Sequence, residues 1–331
     1  MSTLLLDRAH LEVRSDGDAL ALYENGERRG CVPIKLLDRC VIHGAQTRLD
    51  SGVLMKLAEA GVGTVILSPR VGRRVAIVLG AAHNDAAVRL AQALRVMDSA
   101  WCRDWAHSVV TAKLRRQQRT LGTWLAARPD ARKPLTDARR SVAGALASLV
   151  DPAVPAPDTA ALRGIEGAAA RAHFAGLAAV LPPSLNFTGR NRRPPRDPAN
   201  ACLSLAYTLL HAEAVSAAHA AGLDPLLGFY HRPAFGRESL ASDLIEPLRA
   251  EVDLWVWMQF RDRDLREDQF TFDKGACLLG KAGRQGFYAA WASAVKPLRR
   301  WLRLRCAGLA RALREQGMGL IDTDPPEEEA T

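Results

Sequence analysis

The chemistry this chain can offer is concentrated in one stretch. The run Leu223-Asp224-Pro225-Leu226-Leu227-Gly228-Phe229-Tyr230 ends on His231, and Asp243 and Glu246 follow 12 and 15 residues later. Ser239 can open a helix across the second half of the stretch, which sets the two carboxylates on one face, three residues apart. An imidazole at a turn, facing two carboxylates, is a set of hard donors suited to Mg2+ or Mn2+; zinc more often takes thiolates or further histidines. The same residue types at this spacing also occur in soluble proteins that bind no metal. Spacing alone leaves a metal site and ordinary carboxylates both open.

The elements that must position these residues read as helices. Leu90, Leu94, Met97, Trp101 and Trp105 step by four, three, four and four, which predicts one continuous apolar stripe. Four bases crowd into Lys113-Leu114-Arg115-Arg116-Gln117-Gln118-Arg119, where Lys113 and Arg116 suit either a solvated face or contact with phosphate. Prolines from 152 to 157 make a rigid connection, after which Asp158 or Thr159 caps a helix with the apolar stripe Leu162, Ile165, Ala169 and Ala172. Glu166 lies at the edge of that stripe, where a carboxylate can look into a cleft or simply into solvent. Arg190, Arg192, Arg193 and Arg196 fall in a segment to which Pro194 and Pro195 deny a helix. That basic loop leads into a helix over 200–221, and guanidinium groups on it can fork onto phosphate oxygens. Pro247 is expected to kink or restart the helix bearing Asp243. Trp255, Trp257 and Phe260 read as core. The last long helix has Trp291, Val295, Leu298, Leu302, Cys306, Leu309 and Leu313 on one stripe, with Lys296, Arg299, Arg300 and Arg303 opposite as a second basic surface.

The first 84 residues read differently. Short apolar or alternating runs are broken by Asn25-Gly26, a strong hairpin signal, and a capped helix fits residues 50–59. The expected fold is therefore α+β. It has a small β-rich N-terminal domain (1–84), a larger all-α C-terminal catalytic domain (85–318) and an acidic disordered tail (319–331).

Of the 331 residues, 48% are hydrophobic and 24% charged, ample for a packed core. The net charge of +9 includes five acids between Asp322 and Glu329; without them residues 1–321 carry +14. A basic body of this kind suits DNA or RNA as partner. No uninterrupted apolar run reaches the ~18 residues of a membrane span, and no secretion signal is evident at the N-terminus, so neither membrane nor export is expected. Six cysteines without a Cys-x-x-Cys pair read as reduced core residues, consistent with a cytoplasmic setting. No Walker-type phosphate loop occurs, so no nucleotide hydrolysis is expected.

In order and spacing, the run Pro194-Pro195-Arg196-Asp197-Pro198-Ala199-Asn200-Ala201, the following Leu203 to Leu210, Gly222 to Pro225, Gly228 to His231, Gly236-Arg237, Ser239-Leu240, Asp243-Leu244-Ile245-Glu246-Pro247 and Arg249 resemble the signature of the CRISPR adaptation integrase family. Leu162-Arg163-Gly164-Ile165-Glu166-Gly167 matches a further family element upstream, and the resemblance spans about residues 20–315.

The resemblance implies a metal site of Glu166, His231 and Glu246, with Asp243 as a helper or alternative ligand and Mg2+ or Mn2+ as the ion. It implies joining of a prespacer 3′-hydroxyl to CRISPR repeat DNA by transesterification, with water giving hydrolysis at the same site. Arg190, Arg192, Arg193, Arg196, Arg237, Arg249, Lys113 and Arg116 become the candidates for holding prespacer duplex and repeat. A homodimer and a small ferredoxin-like adaptation protein are the implied partners. Two other functions stay open: a stand-alone metal-dependent nuclease on branched DNA or RNA, and a non-catalytic DNA-binding subunit.

Overall fold

A computed structural model describes residues 2–321, apart from 9, 44, 45, 70, 71, 82–84, 154, 155, 192 and 193. The chain opens with β1 (Ser2–Leu6), β2 (Leu11–Asp16), β3 (Ala19–Glu24), β4 (Glu27–Pro33), β5 (Leu37–Ile42), β6 (Arg48–Leu49), α1 (Ser51–Glu59), β7 (Gly63–Leu67) and β8 (Arg74–Val78). These strands form two four-stranded sheets, ordered β4-β3-β2-β6 and β1-β5-β7-β8. Asn25 and Gly26 join β3 to β4 with φ of 53° and 85°, the tight hairpin that Asn-Gly favours. Asp50 caps α1 by accepting from the Val53 N–H. Leu6, Val13, Leu20, Ile42, Val53 and Leu57, drawn from both sheets and α1, share one core.

The remainder is helical: α2 (Ala86–Met97), α3 (Ser99–Ala127), α4 (Arg132–Val150), α5 (Thr159–Val180), α6 (Pro198–Ala220), α7 (Ser239–Ile245), α8 (Arg249–Arg261) and α9 (Lys281–Gly317). Between α8 and α9 a short hairpin, β9 (Phe270–Asp273) and β10 (Ala276–Leu279), adds two strands to this otherwise helical part. Its Cys277 N–H donates to the Pro195 carbonyl at 2.8 Å and ties the hairpin to the basic loop. The α+β class read from the sequence is the observed one.

Several details differ from the sequence reading. The stripe from Leu90 to Trp105 is not continuous, because Asp98 accepts from the N–H groups of Ala100 and Trp101 and starts α3 afresh. The helical phase resets there. Helix α2 then buries its small face, Ala87, Val88 and Ala91, and leaves Leu90, Leu94 and Met97 exposed. Small residues are needed on that face: a Cβ on Gly317 of α9 would lie 2.2 Å from the Ala87 carbonyl oxygen. Helix α6 is the single described helix long and apolar enough to cross a membrane, yet 78% of that window is buried inside the protein. It is the central core helix. All six cysteines are free, and Cys31 alone is exposed. At the end of α9, residues 318–320 form one further 3-10 turn, and residues 322–331 of the expected tail lie outside the described residues.

On α9 the basic face is thinner than expected, because Arg299 turns inward. Its guanidinium donates to Glu213 on α6 at 2.7 and 2.8 Å and pairs with Asp38 on β5 at 2.8 Å. Arg39, also on β5, holds the other side of Glu213 at 2.6 Å. This buried cluster joins the β-rich part to the helical part. Burial acts to raise the Glu213 carboxyl, but the two guanidiniums outweigh it and hold it at about 2. A carboxyl held below its ordinary 4.5 stabilises the fold above that pH, and the contribution is lost as pH falls from about 4.5 towards about 2. Thermal melts should show wild type losing stability across that interval. Glu213→Gln should be less stable at neutral pH by on the order of 3 kcal/mol, with a flatter acid limb; equal limbs in the two proteins would remove Glu213 from the joint.

Candidate active site

Residues from five elements line one cavity of about 630 Å3: Lys113 from α3, Glu166 from α5, Tyr207 and His211 from α6, His231 from the loop before α7, and Glu246 and Arg249 at the start of α8. Glu246 belongs to the 3-10 turn Glu246–Leu248, created where Pro247 interrupts the α7–α8 path. Helix α5 starts at Asp158, whose carboxylate accepts from the Ala161 N–H at 2.7 Å. Helix α6 starts at Asp197, which accepts from the Asn200 N–H at 2.8 Å.

Asp243 is fully buried and saturated. One oxygen accepts from the backbone N–H groups of Phe229 and Tyr230 at 2.8 and 2.9 Å and from Trp105 Nε1 at 3.2 Å. The other accepts from the His231 N–H at 2.8 Å and faces His231 Nδ1 at 2.7 Å. Its role is to hold the loop and orient the imidazole, not to offer a free oxygen. With Nδ1 committed, Nε2 is the nitrogen left for the cavity. Gly228 lets the loop approach α7: a Cβ there would lie 2.5 to 2.8 Å from backbone atoms of Ser239, His231 and Leu240.

Glu246 and Glu166 share one ammonium. Lys113 Nζ lies 2.6 Å from Glu246 and also hydrogen-bonds Glu166. Arg249 Nε donates to the second Glu246 oxygen at 2.8 Å. Burial acts to raise the Glu246 carboxyl, but Arg249 and Lys113 hold it well below the ordinary range. The Tyr230 hydroxyl donates to the second Glu166 oxygen. Burial and that bond raise the Tyr230 phenol, so it keeps its proton.

The structure thus brings Glu166, His231 and Glu246, the three candidate ligands, onto one cavity. Among the described residues, however, no three His, Cys, Asp or Glu side chains form a ready-made metal cage. The physical reason is Lys113, whose ammonium occupies the space between the two carboxylates. The donor set still fits Mg2+ or Mn2+, since two carboxylates already hold a cation in common beside an imidazole.

The basic candidates divide. Arg190, Arg237 and Arg249 line the cavity, with Arg190 and Arg249 stacked over the Tyr207 ring at 5.4 and 4.6 Å. Lys113 lines the same cavity but is buried there, its ammonium shared by Glu166 and Glu246. Arg116 is away from the cavity, paired with Glu251 and lying over Trp301. Arg196 is exposed on the basic loop; Arg192 and Arg193 lie outside the described residues. Sequence reading missed Arg163, which lines the cavity over the Tyr230 ring at 6.0 Å, though it sits within the motif around Glu166. It also missed Tyr207 and the pair Arg74–Glu238, by which β8 reaches the cavity rim. Asp253, also on the cavity wall, accepts from the Tyr207 hydroxyl and meets His173 Nε2 at 2.8 Å.

A profile of the CRISPR associated protein Cas1 family matches residues 4–293. The CRISPR-associated endonuclease Cas1 1 of Thermodesulfovibrio yellowstonii is 34% identical over 319 residues, covering 96% of this chain and 98% of that protein. Two solved structures share the fold. A casposase bound to integration product has a TM-score of 0.81 at 21% identity, over 96% of this chain and 91% of that one. A Cas6-RT-Cas1–Cas2 complex has a TM-score of 0.78 at 22% identity, over 95% of this chain and 35% of that one. The chain belongs to the Cas1 family of CRISPR-associated endonucleases.

Two substitutions probe the site without a reaction. Asp243→Ala strands three backbone N–H groups and should destabilise the protein by roughly 3 kcal/mol or more in denaturant melts; an unchanged midpoint would mean the loop is held elsewhere. Lys113→Met leaves the carboxylates sharing too little positive charge and should lower the melting temperature, at a cost of roughly 3 kcal/mol. Added Mn2+ should raise the melting temperature of Lys113→Met by more than that of wild type.

Proposed function

We propose that this protein is a metal-dependent DNA integrase and endonuclease of CRISPR adaptation, joining prespacer 3′-hydroxyl ends to repeat DNA by transesterification. The observation that carries the reading is the meeting of Glu166, His231 and Glu246 on a cavity whose rim is basic. Glu166, His231 and Glu246 would hold Mg2+ or Mn2+ once the Lys113 ammonium gives way between the carboxylates, and the ion would supply positive charge to offset the phosphate under attack and its leaving oxygen.

The chain's own groups do the rest. Asp243 fixes the imidazole, Tyr230 fixes Glu166, and Arg249 keeps Glu246 ionised. Arg163 and Arg237, on the cavity wall, would meet phosphate oxygens and orient the scissile bond, while Arg190 donates to Asn200 Oδ1 at 2.7 Å and Ser204 Oγ at 3.0 Å and shapes that wall. One phosphodiester replaces another, so no external energy source is needed.

The partners follow from the same reading: DNA, a second copy of the chain, and a small ferredoxin-like adaptation protein. The casposase structure contains integration product and the Cas6-RT-Cas1–Cas2 structure contains Cas2; the first likeness supports DNA as a partner and the second supports Cas2. The setting is the cytoplasm, without a membrane.

The test is a strand-transfer assay with labelled prespacer and a repeat-bearing plasmid, in Mg2+, Mn2+ or chelator, with and without the small partner. Joined product should require the ion and drop at least 100-fold in Glu166→Ala, His231→Ala and Glu246→Ala, the scale on which loss of a transition-state contact is felt. Cleaved ends without joining would instead make the protein a nuclease acting on branched DNA or RNA. DNA binding with no chemistry in either ion would leave a binding subunit.

A further inference from the structure

We propose that Phe235 is a nucleobase-stacking residue at the mouth of the cavity, taking an unpaired base of the DNA strand that enters the site. The inference rests on the DNA reading above. Its starting observation is that the Phe235 side chain is fully exposed, at 109%, more than any other large apolar residue described. It sits at the corner of a tight turn in which Ala234 pairs with Arg237, the Arg237 N–H donates to the Ala234 carbonyl at 3.1 Å, and Gly236 takes φ of +67°.

The turn is held firmly for so exposed a tip. Arg237 donates to Ser239 Oγ at 3.1 Å and to the Arg232 carbonyl, and Ser239 Oγ donates to that same carbonyl at 3.2 Å. Glu238, the next residue, is paired with Arg74 of β8. Gly236, Arg237 and Glu238 line the cavity, so the ring stands at its edge.

A single exposed ring is ordinary on a protein surface; this one stands apart because it directly precedes three residues that line the basic cavity. Arg232, Pro233, Ala234 and Arg237 are exposed beside it in the chain, so two arginines flank the short apolar run that carries the ring. A base offers a flat π-face, and its phosphates offer the anions that Arg237 and Arg163 can meet. Phe272 is also exposed, at 68%, but none of its β9–β10 neighbours lines this cavity, whereas the three residues after Phe235 do.

The experiment uses full-length protein and a duplex with single-stranded 3′ ends, carrying 2-aminopurine at one overhang position at a time. Wild type, Phe235→Leu and Phe235→Tyr are compared for emission at saturation and for affinity by anisotropy, with a blunt duplex as control. At one position wild type should quench emission at least twofold more than Phe235→Leu. Phe235→Leu should bind the overhang DNA about fivefold or more weakly, Phe235→Tyr should restore both readouts, and blunt-duplex binding should not change. Equal quenching and affinity for wild type and Phe235→Leu would overturn the stacking role while leaving the DNA reading intact. A shift in self-association by sedimentation, with DNA readouts unchanged, would assign the ring to a protein contact and also overturn it. Wild type that binds no DNA would sink both proposals together.

Discussion

The structure of the site depends on one buried carboxylate. Asp243 gathers the consecutive N–H groups of Phe229, Tyr230 and His231, together with the His231 ring and the Trp105 indole. A carboxylate so enclosed is stable only because each lone pair is used. In return it fixes a loop that has no secondary structure of its own. Tyr230 reaches Glu166 from that loop and His231 enters the cavity from it, so side chains from α5 and α7 are registered to each other through backbone bonds. Gly228 belongs to the same device, because the loop can close on α7 only where no Cβ intervenes.

Charge is balanced locally in the cavity. Glu166 and Glu246 face Lys113 and Arg249, two acids against two bases, before any ligand is added. Removing buried carboxylates from water is costly unless cations are brought with them. That requirement explains why the bases nearest the chemistry are buried and ion-paired, while Arg237 and Arg196 stay at the surface.

Much of this was legible in the sequence. Period and capping located α5, α6 and α7 within a residue or two, and the Asn-Gly turn located the β3–β4 hairpin. The ordered motif residues around Glu166, His231 and Glu246 marked the cavity. What could not be read were the distances across the fold. Lys113 lies 53 residues from Glu166 and 133 from Glu246, and a base in a basic helix looks the same in sequence whether it faces solvent or two acids. Arg299 was misplaced for the same reason, since helical periodicity assigns a face but not the acid waiting opposite. The Leu90–Trp105 stripe failed on a local effect, the cap at Asp98, which periodicity alone does not weigh. Asp243 carried a motif position without revealing that its oxygens were already taken.

The cluster at Glu213 has a mechanical consequence. Helix α6 is gripped at Glu213 by a guanidinium from β5 and another from α9, and the same helix presents His211 and Tyr207 to the cavity two and six residues earlier. Arg74 grips the cavity rim from β8, at the edge of the same sheet as β5. That one sheet and the helices around the cavity are thus bolted together at two points, like the two arms of one lever. A torque applied to the β-rich part is delivered to the groups that line the cavity, rather than dissipated in a hinge between them.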